Sequence, residues 1–190
     1  MLYGKFVDAP GSLAFLLKFL SKAVGVDEGR YWLKYIRIEP SDKGEGLLGV
    51  ATDGRHLHLV DPLDEAAAKV FGMTPGYWQV FKGGSSLWIA RLEDSQTEGW
   101  AYPAWRKVIP NGEAAYKTTF HGFSLTGPKG NYSELAKFIH GFPDVTAIDL
   151  EYLQSLGTGF EWDVDYYSTR SAMKFTQGNR VALIMPMSVD

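Results

Sequence analysis

YWLKYIRIEPSDKGEGLLGVATDGRHLHLVD, residues 31–61, is the stretch whose reading decides the fold. Trp32, Lys34, Ile36 and Ile38 alternate with Tyr31, Leu33, Tyr35 and Arg37 in a run of aromatic and β-branched residues, which predicts a strand. SDKGEG (41–46) has the composition of a turn, LLGVAT (47–52) predicts a second strand, DGR (53–55) a tight hairpin turn, and HLHLVD (56–61) a third strand. Upstream, LYGKFV (2–7) reads as a short strand that DAPG (8–11) breaks. Ser12 then stands where an N-cap is needed, and Leu13, Leu16, Leu17, Leu20 and Val24 recur at helical spacing. The order is β-α-β-β-β.

The last third of the chain repeats that order more faintly. YKTTFHGFSL (116–125) predicts a strand, TGPKGN (126–131) a turn, and YSELAKFIHG (132–141) a helix with Leu135, Phe138 and Ile139 on one side. VTAIDLEYLQSLG (145–157) predicts a strand running into a short helix that stops at glycine. FEWDVDYY (160–167), SAMKFTQ (171–177) and RVALIMPMSV (180–189) follow as three strands. The two ends share a pattern and not residues. Between them, 62–117 is predicted as an irregular connection: DEAAAKVFG (64–72) is weakly helical, GYWQVFK (76–82) and SLWIARLE (86–93) make a hairpin, and 94–113 is a loop. The expectation is one domain over 1–190, with a first unit at 1–61, the connection at 62–117 and a second unit at 118–190.

Composition narrows the function classes. At 190 residues, 45% hydrophobic and 14% aromatic, the chain can build a core. It has no cysteine, which excludes disulfides, thiolate zinc sites and a cysteine nucleophile; this fits a reducing compartment, and a cytoplasmic location is expected. The apolar run Leu13–Leu20 is interrupted by Lys18 and lacks the flanks of a signal peptide. No run reaches the roughly 18 apolar residues of a membrane span, so no membrane partner is expected. A net charge of -3 argues against coating nucleic acid by bulk electrostatics and leaves only local DNA contacts.

Three short stretches carry the functional reading: ATDGRHLHLV (51–60), YPAWRKVIP (102–110) and LIMPMSV (183–189). Singly, they read as a hairpin turn, a rigid loop and methionine core filler. Together and in this order, they resemble the bacterial sliding clamp, the beta subunit of the replicative DNA polymerase III. That family has a turn close to A-T-D-G-H-R-L, a loop close to F-P-D-Y-R-R-V-I-P, and a terminal strand close to V-M-P-M-R-L. Ala51, Thr52, Asp53, Gly54 and Leu57 match the turn, while Arg55-His56 inverts the family's order. Pro103, Arg106, Val108, Ile109 and Pro110 match the loop, with Trp105 and Lys107 as like-for-like changes and Ala104 losing an acid. Met185, Pro186 and Met187 match the end, which Ser188-Val189-Asp190 then departs from.

The resemblance implies an α+β, clamp-like domain of two β-α-β-β-β units, with antiparallel sheets and helices on one face. It implies a non-enzymatic factor in DNA replication or repair, without a cofactor, that captures linear peptides of DNA polymerase or repair proteins in an apolar groove. Leu57, Val108, Ile184, Met185, Pro186 and Met187 would be its walls, and Thr52, Gly54, Arg55, His56, Pro103 and Arg106 its rim and floor. Prolines hold such a groove open and methionines adapt to different occupants. Double-stranded DNA would be a further partner of an oligomer, through helix lysines at Lys18, Lys22 and Lys137. The family strings three domains in tandem, whereas this chain has secondary structure for about one and an enlarged connection, so a ring would need about six copies of one domain. A clamp-fold decoy or adaptor that does not encircle DNA is the alternative.

An enzyme is the other class. Asp53, His56 and His58 invite a metal or acid–base reading, and His56 and His58 would point to one face of a strand. His121 and His140 lie far off in sequence, and no G-x-S-x-G, H-E-x-x-H, dinucleotide or P-loop signature appears; KGGSS (82–86) lacks the P-loop ending.

Overall fold

The computed structural model describes residues 2–4, 11–26, 29–83, 86–122, 132–142 and 147–187. The chain divides into two compact units, Met1–Pro103 and Ala104–Asp190. The boundary falls inside the stretch predicted as a connection. The expected positions 5–7, 123–131, 143–146 and 188–190 lie outside the described residues.

The first unit runs β1 (Leu2–Gly4), α1 (Leu13–Ser21), β2 (Ile36–Pro40), β3 (Leu47–Thr52), β4 (His56–Val60), α2 (Glu65–Val70), β5 (Gly76–Gly83), β6 (Ser86–Arg91) and α3 (Asp94–Thr97). Ser12 caps α1 as its position requires, its hydroxyl accepting the Phe15 N–H at 3.2 Å. Leu13, Leu16, Leu17 and Leu20 are buried on the helix's inner side. The helix packs on β3, β4 and β5. Gly49 in β3 makes that approach possible: a Cβ there would stand 2.5 Å from Leu20 Cδ1 and 3.3 Å from Ile38 Cδ1.

The strand predicted over 31–38 forms only in its second half. Tyr31–Lys34 is a 3-10 turn, with the Leu33 N–H donating to Arg30 and the Leu33 carbonyl accepting the Gly25 N–H. The turn drops Leu33 into the core and brings Tyr31 edge-on to both Trp32 and Trp100. Tertiary packing of aromatic residues thus overrides the local alternation.

The expected 76–91 hairpin forms, and its place is the main departure from a plain β-α-β-β-β unit. β1 does not pair with β2. Instead β6 pairs with β1, and β5 with β2, so the strand order is β1-β6-β5-β2-β3-β4, antiparallel at every step. Residues 94–113, predicted as a loop, carry α3 and a 3-10 turn at Trp105–Val108. Trp100 packs against Tyr31, Tyr35 and Tyr77 at 5.0, 5.5 and 5.2 Å, and the Tyr102 hydroxyl donates to the Val50 carbonyl at 3.4 Å. The Trp100–Tyr102 stretch covers the sheet face opposite α1, where Arg37 lies 4.8 Å over the Tyr77 ring. Burial pushes the Tyr102 phenol well above its usual range.

The second unit has β7 (Tyr116–His121), α4 (Tyr132–His140), α5 (Leu150–Ser155), β8 (Glu161–Tyr166), β9 (Met173–Gln177) and β10 (Arg180–Ile184). Its order is the uninterrupted β7-β8-β9-β10. Alternation decides the faces: Trp162, Val164 and Tyr166 are buried while Glu161 and Asp163 are exposed. Phe138 of α4 packs on Phe120, Phe142 and Phe175 at 4.8, 5.0 and 6.2 Å. Arg180 is buried, its guanidinium 4.5 Å from the Phe160 ring and 4.7 Å from that of Trp162; burial lowers its pKa to about 10. The strand expected over 180–189 ends at Ile184, and of the one expected before α5 the described residues show the bridge Ala147–Met187. Pro186, which has no N–H to give a ladder, stands between the two.

Candidate functional site

The turn between β3 and β4 is built by its own side chains. Thr52 Oγ1 donates to the His56 carbonyl at 2.6 Å and accepts the Gly54 N–H at 3.0 Å. Asp53 Oδ1 accepts the N–H groups of Arg55 and His56 at 2.8 and 2.9 Å, and His56 Nδ1 stands 3.0 Å from the same oxygen. Burial alone would raise the Asp53 pKa. The His56 imidazole, the two backbone donors and the His56 charge outweigh it and hold the carboxyl well below the usual carboxylate range. Gly54 adopts φ +94°, and a Cβ there would meet the Arg30 guanidinium at 2.7 Å.

The residues expected from this turn divide by exposure. Of the rim and floor, Gly54 and Arg55 are exposed whereas Thr52 and His56 are buried, and the expected wall residue Leu57 is buried as well. Arg30 is the neighbour that the motifs do not mention; nothing in its own stretch marks it as standing against the turn.

His58, fully buried, stacks on Phe19 with ring centroids 4.0 Å apart, and its Nδ1 lies 2.7 Å from the Phe19 carbonyl oxygen, to which it donates. His56 and His58 do share a face, their rings meeting edge to face at 5.3 Å. Both histidines and Asp53 are thus committed to holding turn, strand and α1 together. Among the described residues, no group of three or more His, Asp or Glu is placed to hold a metal.

On the second unit, Trp105 is buried and Arg106 is exposed, its guanidinium stacked 4.1 Å over the Trp105 ring. Among the described residues the Trp105 Nε1 has no hydrogen-bond partner. Val108 is 55% exposed. At the chain's end Ile184 is buried in β10, while Met185 and Met187 are 40% and 51% exposed on either side of half-buried Pro186. The Met187 N–H donates to the Ala147 carbonyl at 3.0 Å, which anchors the exposed segment. Pro103, on the first unit, is exposed. Of the expected walls, Leu57 and Ile184 therefore lie in the core, and Val108, Met185, Pro186 and Met187 reach the surface. The expected DNA-facing lysines sit toward helix C termini: Lys18 and Lys22 at the end of α1 and Lys137 in the last turn of α4, where cations also complement the helix dipole.

No family model matches the sequence, and no curated protein matches it in sequence. Solved structures match its fold. DNA polymerase III subunit beta from Borrelia burgdorferi, in complex with a natural product, has a TM-score of 0.58 and 15% identity, covering 95% of this chain and 63% of that one. The sliding clamp from Bartonella birtlesii bound to griselimycin has a TM-score of 0.59 and 15% identity, covering 94% and 65%. The Helicobacter pylori beta clamp bound to a DNA ligase peptide has a TM-score of 0.51 and 14% identity, covering 99% and 65%. The chain spans less than two thirds of the length of each of these clamps, and it has a clamp-like α+β fold.

Proposed function

We propose that the chain is a non-enzymatic, sliding-clamp-like factor of DNA replication or repair that captures short linear peptides of polymerase or repair proteins. The observation that carries this reading is the chain's end: on a clamp-like fold, β10 stops at Ile184 and two exposed methionines flank a proline. Unbranched apolar side chains exposed there suit a peptide-binding surface, which uses their adaptability. Val108 and the stacked Arg106 supply a further apolar contact and an oriented cation on the same unit. The turn at Thr52–Leu57, with Arg30 beside Gly54, is proposed as a peptide-contacting surface of the first unit. The likeness to a clamp solved with a DNA ligase peptide supports peptide capture. The use of Asp53, His56 and His58 as fold-holding groups favours a scaffold over a hydrolase.

The test is fluorescence anisotropy of a labelled glutamine-leucine-x-leucine-phenylalanine peptide against the wild-type chain and a Met185→Ala, Met187→Ala variant. Saturable binding on the order of micromolar, lost in the variant, is expected. Absence of binding at high concentration would leave the fold without the function. Lys18, Lys22 and Lys137 are the positions proposed for DNA. Replacing all three with alanine should reduce the slope of log affinity against log salt by about 0.9 for each phosphate contact removed.

A further inference from the structure

The inserted hairpin leaves an opening on the α1 side of the first unit's sheet. α1 ends at Ser21, and past its end Val24, Ile36, Trp78, Val80 and Phe81 line a groove of about 440 Å³. That volume is within the range of ligand pockets in general, roughly 300–1,000 Å³. Most polar groups around it are already satisfied from within the unit. The Ser21 hydroxyl donates to the Lys18 carbonyl, the Lys22 and Ala23 N–H groups close the end of α1, and Trp78 Nε1 donates to the Thr74 carbonyl at 2.9 Å. Lys34 is the exception. Among the described residues it is the one charged side chain lining the groove, it is half-buried, and it makes no ion pair or hydrogen bond with any of them. Gln79 stands in the same lining as a neutral donor and acceptor.

An apolar trough with a single uncompensated cation is complementary to an apolar group joined to a carboxylate. β5 pairs with β6 over Trp78–Gly83 but with β2 only over Gly76–Trp78, so among the described residues the Gln79–Phe81 backbone has no strand partner on the β2 side and can add hydrogen bonds to what the side chains hold. We propose that this groove is a second docking site, separate from the surfaces proposed above, for a linear segment of a partner protein in which apolar residues precede Asp or Glu. The carboxylate pairs with the Lys34 ammonium, and the apolar side chains rest on Trp78 and Val80.

The experiment is anisotropy of a fluorescein-labelled Gly-Phe-Leu-Asp-Gly peptide with the full chain. Saturable binding is expected, weakened on the order of tenfold by Lys34→Met, which keeps the aliphatic stem. Replacing the peptide's Asp by Asn should do the same on wild-type protein. Phe81→Ala, at a position 40% exposed and so safe for folding, should also weaken it, whereas Met185→Ala, Met187→Ala should not. Loss on that last variant would place the peptide on the other proposed site and overturn the inference. So would binding indifferent to both Lys34→Met and the Asn peptide, or no saturable binding. Displacement by free 4-phenylbutyrate at the peptide's own concentration would make the groove a small-acid site and overturn the peptide occupant.

Discussion

Gly54 stands where two constraints meet, a positive φ and the Arg30 guanidinium in the space a Cβ would take. Gly54→Ala should therefore cost about 1–2 kcal/mol of stability, read as a lower urea midpoint with an unchanged slope. Asp53 contributes a pH dependence of definite sign. Its pKa is lower in the folded chain than the ordinary 3.8, so the unfolded chain takes up the proton first as pH falls. The stabilisation is complete above that value and is lost progressively below it. Thermal melts of wild type and Asp53→Asn should differ most near neutral pH and converge below about pH 4. The turn itself was legible, because D-G between two apolar runs has a mechanism as a hairpin. Arg30 was not, since contact with Gly54 arises from the path of the chain after α1 and leaves no local pattern. Nor could spacing tell exposed Met185 and Met187 from buried Ile184, because that depends on where the ladder stops.

Elements were legible wherever one face is buried against one layer. α1 reads from its cap and leucine spacing, and β8 from the alternation of Trp162, Val164 and Tyr166. The 3-10 turn at Tyr31–Lys34 did not, because its aromatic residues answer to Trp100, a partner far along the chain. That partnership is testable: Trp100→Ala removes the ring that meets three tyrosines and should cost about 2 kcal/mol by denaturant unfolding. Gly49 is the corresponding control of the opposite face. Gly49→Val would drive side-chain atoms into Leu20 and Ile38, and a loss of about 1–3 kcal/mol is expected, with α1 losing amide-exchange protection first.

For the molecule as a whole, the α+β class and the two end units follow from element order, but the topology of the first unit does not. Nothing in GYWQVFK or SLWIARLE says that the hairpin joins the sheet between β1 and β2, since its strands would read the same in an independent ribbon. Encircling DNA would require a closed oligomer, for which light scattering of the purified chain should give a mass of several copies; a monomer would restrict the protein to peptide capture. The inserted hairpin also fixes an order of events during synthesis. Leu2 pairs with Ile89 and Gly4 with Leu87, so β1 leaves the ribosome long before its partner and stays unpaired until β6 has followed it out. α1, β2, β3 and β4 can assemble among themselves before then. β1 is thus an early product with a late appointment. On the nascent chain it should remain accessible to chaperones or proteases until the hairpin arrives to seat it.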